Sequence, residues 1–275
     1  MLPSFLLSLR EGLEGALIIG IVLGALRKLD RRDLNPIVWA GTISAIAISI
    51  IAAILLTSLD ASLEGSAEPI FEGFTMFLAA AVLTWMIFWM HRQSRHIKSE
   101  LEAGVRRATL KSGRKALFFL AFISVLREGI ELALFLTAAA LAIDANQTLS
   151  GALIGLGAAA LLGWSMFAST VRLNLGAFFQ VTGVLLILFA AGLVAHGVHE
   201  FNEVGWIPSV IEHIWDVNFL LNERSLVGQV LQTLFGYNGN PSLTEVIAYL
   251  TYFAAIGFGL WRNSNAAIPA QKEVA

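Results

Sequence analysis

Cysteine is absent from the 275 residues, which excludes disulfides and removes the thiolate ligands that soft metal ions prefer. Any metal bound here meets oxygen or imidazole. Charge is scarce: 14% of the residues are Asp, Glu, Lys or Arg, 57% are hydrophobic, and the mean hydropathy is +0.74. That mix lies outside the range of soluble globular domains. The opening residues lack the basic leader of a removable signal peptide, and Arg10, Glu11 and Glu14 break their apolar run, so the first apolar segment is expected to be retained. No G-x-x-x-x-G-K-[S/T] sequence occurs, so ATP is not indicated as a direct drive. His199-Glu200-Phe201-Asn202-Glu203 lacks the second histidine of a zinc-protease H-E-x-x-H. Nucleic acid is not expected among the partners.

What is present is a series of long apolar runs. A spanning helix needs about 20 apolar residues for a hydrocarbon core of about 30 Å, and seven windows meet that need, at 4–26, 36–58, 70–90, 116–142, 148–170, 175–198 and 243–262. Basic residues are lacking on one side of them. Fifteen of the 18 Lys and Arg fall in the connections after windows one, three and five and in the tail, which assigns those segments to the cytoplasm. Trp39, Trp85, Trp89 and Trp261 lie near the same ends, as an interfacial belt would. The opposite connections are acidic, with Asp60, Glu64, Glu68, Glu72 and Asp144, and with Glu200, Glu203, Glu212, Asp216 and Glu223 in or beside the segment 199–242. Such a vestibule concentrates cations.

The chain is therefore expected to be an all-α membrane protein with seven transmembrane helices, the N-terminus out and the C-terminus in. A first three-helix repeat covers 1–91, a basic cytoplasmic loop 92–115, a second three-helix repeat 116–198, an extracytoplasmic amphipathic segment 199–242, the seventh helix 243–262 and a cytoplasmic tail 263–275. Within the outer segment, Ser209-Val210-Ile211-Glu212 after Pro208 reads as a capping box opening a helix, and Ser242-Leu243-Thr244-Glu245 opens window seven in the same way.

The repeat rests on one motif written twice: S-L-R-E-G-L-E-G-A-L at 8–17 and V-L-R-E-G-I-E-L-A-L at 125–134. Arg10, Glu11, Gly12 and Glu14 match Arg127, Glu128, Gly129 and Glu131. Three windows per copy make the two motif helices cross in opposite directions, an inverted repeat of the kind that places a transporter's substrate site at the midplane. Glutamates three apart share a helix face, and the arginine reaches the second of them four residues on. At about 1.5 Å per residue, Glu11 and Glu14 sit roughly 10–15 Å below the outer edge, and Glu128 and Glu131 about 18–22 Å above the inner one. Both pairs fall near mid-bilayer, where an isolated charge costs at least about 2.5–3.5 kcal/mol and must pair or face a cavity. Four carboxylates against two guanidiniums leave a formal charge of −2, which a multivalent cation resolves. Gly12, Gly15 and Gly129 suit close helix approach, as do Gly20-x-x-x-Gly24 and Gly151-x-x-x-Gly155, within one chain or in a homo-oligomer.

Carboxylates are hard ligands that suit Mg, Ca, Mn or iron. His196 and His199, followed by Glu203, stand where an ion would approach, together with Glu68 and Glu72; a polar, solvated helix end is the plainer explanation of the histidines. The doubled R-E-x-x-E motif, with F-E-G at 71–73, L-T-W-M-I-F-W-M at 83–90 and R-L-N-L-G-A-F-F at 172–179, resembles the oxidase-coupled high-affinity iron permease family in its bacterial EfeU-type branch. That resemblance implies iron, Fe2+ or Fe3+, as transported substrate rather than prosthetic group, the bacterial inner membrane as location, Glu11, Glu14, Glu128 and Glu131 as ligands and Arg10 and Arg127 as supporting residues. It also implies a periplasmic iron-binding protein and an iron oxidase or peroxidase as partners. A permease for another divalent cation, or an intramembrane di-iron oxidase, remains the alternative that the residues themselves allow.

Overall fold

A computed structural model describes residues 1–60, 62–93, 97–109, 113–142, 145–168, 175–222 and 225–266. Arg95, Lys111, Arg172 and Lys272, among the fifteen basic residues that assign sidedness, and the acidic Asp144 and Glu223 lie outside them. The described residues are helical, without strands, in the order α1 Leu2–Lys28, a 3-10 turn Arg32–Leu34, α2 Asn35–Asp60, α3 Ala67–Gln93, α4 Ile97–Arg107, α5 Gly113–Ala142, α6 Ala145–Ala168, α7 Leu175–Glu203, α8 Leu226–Phe235 and α9 Leu243–Ala266. Within the described residues every apolar window falls on one of these helices. By length and composition alone five of them can cross a membrane, over Arg32–Asp60, Ala67–Phe88, Ala145–Met166, Ala177–Glu203 and Leu243–Arg262. The chain is thus a helical membrane protein. Helices α1 and α5 are long, at 27 and 30 residues, but carry the charged motifs.

The chain divides into two compact units, Met1–Glu68 with Met90–Leu186, and Pro69–Trp89 with Ile187–Ala275. The first unit is built from two tight helix pairs. Along α6 the residues Gly151, Gly155, Ala159 and Gly163 recur every four positions and meet Met1, Phe5 with Ser8, Gly12 and Ala16 of α1 in that order, so the two helices run parallel. Along α2, Gly41 packs on the backbone of Phe118, and Ser49 on Gly129 of α5, again in parallel. The two sets are equivalent. Met1 and Gly12 stand 117 positions before Phe118 and Gly129, while Gly151 and Ala159 stand 110 positions after Gly41 and Ser49. Each motif helix, α1 or α5, therefore packs on the helix that follows the other, α6 or α2.

Small residues at this spacing bring backbones close, the packing available where lipid supplies no hydrophobic drive. A Cβ on Gly155 would lie 2.5 Å from Phe5 O, and one on Gly12 would lie 2.7 Å from Ala159 Cβ. Gly15 and Gly24 have open space instead. Gly155→Leu is accordingly expected to abolish folded protein in the membrane, whereas Gly24→Ala is expected to be neutral or stabilising by about 0.5–1 kcal/mol; thermal unfolding in detergent separates them.

The end of α1 (Val22, Ala25, Leu26) meets Leu34 of the 3-10 turn, Val38 at the start of α2, the start of α5 (Leu117, Ala121), Val105 of α4 and Ala108 just after it in one buried apolar cluster. Since late α1 meets early α5, these helices run antiparallel. The stretch expected as a basic loop thus carries a helix, α4, tied to α1 by Lys28 Nζ and Glu102 Oε1 at 2.9 Å. Its apolar side packs in while Arg106 and Arg107 stay exposed.

In the second unit, Gly73 of α3 accepts the ring of Phe201 and Gly197 of α7 accepts the ring of Phe77, an antiparallel crossing reinforced by Phe74 and Trp206. Helix α9 joins through Thr84 and Tyr252, 2.8 Å apart, and through Phe88 seated on Gly259. The helix expected to open at Ser209 does not form. Val210 has φ +62, and the chain pairs instead with a distant stretch: Ile214 N donates to Pro241 O, Val217 N to Gly239 O and Leu243 N to Ile211 O. Those bonds take donors and acceptors a helix would need. The amphipathic helix lies later, as α8, where Ser225 Oγ accepts from Gly228 N at 2.9 Å. The second capping box does form, with Ser242 N to Glu245 Oε1 at 3.2 Å and Glu245 N to Ser242 Oγ at 3.3 Å.

Candidate metal centre

The antiparallel crossing of α1 and α5 in the first unit brings the two motifs together. Glu11, Glu128 and Glu131 each offer a carboxylate oxygen, and the three atoms lie within 4.8 Å of one another. Among the described residues this is the one group of three or more Asp, Glu or His side chains so placed. All three are buried, Glu11 at 2% exposure. Glu14 is also buried but stands outside the trio, ion-paired to Arg10 with Nε and Oε1 at 3.2 Å. Arg127 Nε lies 3.1 Å from Glu131 Oε1 and 3.4 Å from Glu128 Oε1. The two arginines differ in setting: the Arg10 side chain is 1% exposed and that of Arg127 37%.

The glutamates sit here because R-E-x-x-E on a helix puts its second and fifth side chains on one face, with the first in reach of the fifth, and because Gly12 and Gly129 let each motif helix close on its neighbour, Gly12 on Ala159 and Gly129 on Ser49. Neither oxygen of Glu11 has a hydrogen-bond partner, and one oxygen each of Glu128 and Glu131 is likewise without one. A buried carboxylate left without donors is costly. Clustering three of them multiplies that cost, which a shared proton or a bound cation relieves. Three hard oxygens converging from two helices suit an ion of the magnesium, calcium, manganese or iron class.

The other residues singled out from sequence have separate places. Glu68 lies in the first turn of α3 and Glu72 one turn on, half-buried. His196 and His199 share the last turns of α7, ring centroids 6.0 Å apart. His199 is engaged: Nδ1 lies 3.1 Å from Glu245 Oε1 and Nε2 3.6 Å from Glu203 Oε1. Sequence reading placed Glu245 only as a helix cap and missed its second duty. Its carboxylate, 3% exposed, also accepts from Asn238 Nδ2 at 2.8 Å and so fastens α7, α9 and the segment between them. The signal was a capping glutamate across the turn from an i, i+3 histidine pair, and nothing local in the chain says that the two meet.

A family model described as the iron permease FTR1 family matches residues 1–264. The ferrous iron permease EfeU of Shigella sonnei (strain Ss046) is 34% identical over 264 residues, covering 94% of this chain and 96% of the relative. That of Escherichia coli O157:H7 matches to the same extent. The ferrous iron permease EfeU of Yersinia pestis is 33% identical over 281 aligned positions, covering 100% of this chain and 99% of the relative. No solved structure matches the chain.

Proposed function

The chain belongs to the iron permease FTR1 family, and on that premise we propose that it imports iron across the bacterial inner membrane through the glutamates shared by α1 and α5. The observation that carries this reading is the trio of buried carboxylates from two oppositely running helices, with both oxygens of Glu11 lacking a partner. In this reading α1 and α5 span the bilayer with the five more apolar helices, the N-terminus faces out, and the end that gathers α4, Arg27, Lys28, Arg31, Arg32, Arg106 and Arg107 faces the cytoplasm.

Iron concentrates at the acidic outer connections, and His199 can serve an ion only by leaving Glu245. It then exchanges water for the carboxylates of Glu11, Glu128 and Glu131, with Glu14 within reach and Arg10 and Arg127 holding the second glutamate of each motif. An inward-negative membrane potential favours the step by about 2.3 kcal/mol per charge per 100 mV, about 4.6 kcal/mol for a divalent ion. Protons replace iron on the carboxylates as it leaves. The di-iron oxidase alternative has less to stand on, since among the described residues no histidine joins the trio and ferritin-like sites draw on Glu-x-x-His pairs.

The test is uptake by purified protein in proteoliposomes with the oxidation state of iron held fixed. Concentration-dependent uptake is expected, abolished in a Glu14→Ala plus Glu131→Ala variant and inhibited weakly by other divalent ions. Unchanged uptake in that variant would overturn the site, and equal uptake of manganese would move the substrate class.

A further inference from the structure

The two motifs are identical in their chemistry, yet the structure uses them unequally. Under the repeat, Glu11 corresponds to Glu128 and Glu14 to Glu131. The trio contains both members of the first pair and only one member of the second. Glu14, the member left out, is held by Arg10 inside a sealed interior, with Arg10 1% exposed and Leu7, one turn above, at 0%. Their counterparts on α5 are more open: Arg127 is 37% exposed and Ser124 is half-buried.

An inverted repeat has a property that settles what this inequality means. Because the two motif helices match in their charged residues and packing sites and run in opposite directions, an asymmetric arrangement has a counterpart in which they exchange roles, and alternating access is the exchange between them. The packing that would have to persist through it is itself symmetric, since Gly12 on Ala159 and Gly129 on Ser49 are equivalent contacts. Exchanging roles leaves Glu11 and Glu128 in the ligand set and replaces Glu131 by Glu14.

Resting on the permease reading above, we infer that Glu14 and Glu131 are alternate third ligands of one ion: Glu11 and Glu128 hold it throughout, Glu131 completes the set in the conformation described here, and Glu14 completes it in the conformation of opposite access. Each arginine is the holder of the carboxylate that is out of use. Arg10 holds Glu14 at 3.2 Å here, and Arg127, already 3.1 Å from Glu131, keeps that side chain when it withdraws. The exchange needs no carboxylate to be left alone in the bilayer interior, where an uncompensated charge is expensive, and it explains why each motif carries an arginine four residues before its second glutamate rather than its first.

The experiment uses the full chain, with ferrous iron kept reduced, and reads equilibrium binding in detergent beside turnover in proteoliposomes. Glu131→Gln is expected to weaken binding about tenfold or more, the scale on which lost support costs a metal site, and to lower uptake with it. Glu14→Gln is expected to leave the binding constant within about threefold while turnover falls about tenfold or more, because the state that needs Glu14 is then disfavoured. Since Glu14→Gln leaves Arg10 in a sealed interior, the double variant Arg10→Gln, Glu14→Gln is run beside it and should show the same split between binding and turnover. Equal loss of binding in Glu14→Gln and Glu131→Gln would mean one fixed four-carboxylate site, and unchanged turnover in Glu14→Gln would reduce Glu14 to a partner of Arg10; either result overturns the exchange. If the unaltered protein neither binds nor carries iron, the permease reading falls instead.

Discussion

Glu11→Leu is expected to abolish iron uptake and, in the metal-free protein, to raise thermal stability. The two effects have one cause. Glu11 is 2% exposed, both its oxygens lack a partner, and two further carboxylates stand within 4.8 Å. With no ion bound, that arrangement opposes folding, because a buried carboxyl group without hydrogen-bond partners costs about 1–3 kcal/mol that an apolar side chain of similar volume does not. With iron bound the balance reverses, because the ion stabilises the folded state by about 2.7 kcal/mol at a hundred times its dissociation constant. Unfolding curves with and without iron should therefore show a metal-dependent upward shift for the unaltered protein and a higher but metal-independent midpoint for Glu11→Leu. A variant that loses stability in the absence of metal would show that Glu11 is satisfied internally, and the centre would then be glue between helices.

How much of this was legible in the chain differs by element. Within the described residues the seven apolar windows all fall on helices, the form in which a long apolar run satisfies its own backbone. The doubled R-E-x-x-E announced two equivalent, opposed helices and their acids. It could not announce that α1 packs on α6 and α2 on α5, because apolar helices carry little partner information beyond small residues at fourfold spacing; Gly151 and Gly155 were visible, but Met1, Phe5 and Ser8 as their partners were not. Helix α4 is hidden by its basic residues, which mark sidedness, whereas its buried side rests on few apolar residues such as Val105. The stretch after Pro208 was misread for the opposite reason: its local capping signal was outweighed by backbone pairing with residues 239–241, about thirty positions away. The inequality of the two motifs was beyond reach, since identical letters give no hint of which copy is in use.

That inequality predicts the largest stability effect. Arg10→Ala is expected to destabilise the protein by about 3–5 kcal/mol, the cost of removing one partner of a buried ion pair and leaving the other charge behind. Arg10 is 1% exposed and Glu14 is buried with it, so water cannot take the place of the guanidinium. Arg127→Ala should cost distinctly less. Its side chain is 37% exposed, the surroundings screen the charge it leaves, and pairs in such settings are worth less. Replacing both members of the sealed pair, Arg10→Met with Glu14→Met, should recover most of the loss, because two apolar side chains of similar volume leave no charge uncompensated. Thermal midpoints of the four proteins in one detergent decide the matter. Equal losses for the two arginine variants would mean that the motifs share one environment, and failure of the double variant to recover would mean that Arg10 supports the fold through contacts other than Glu14.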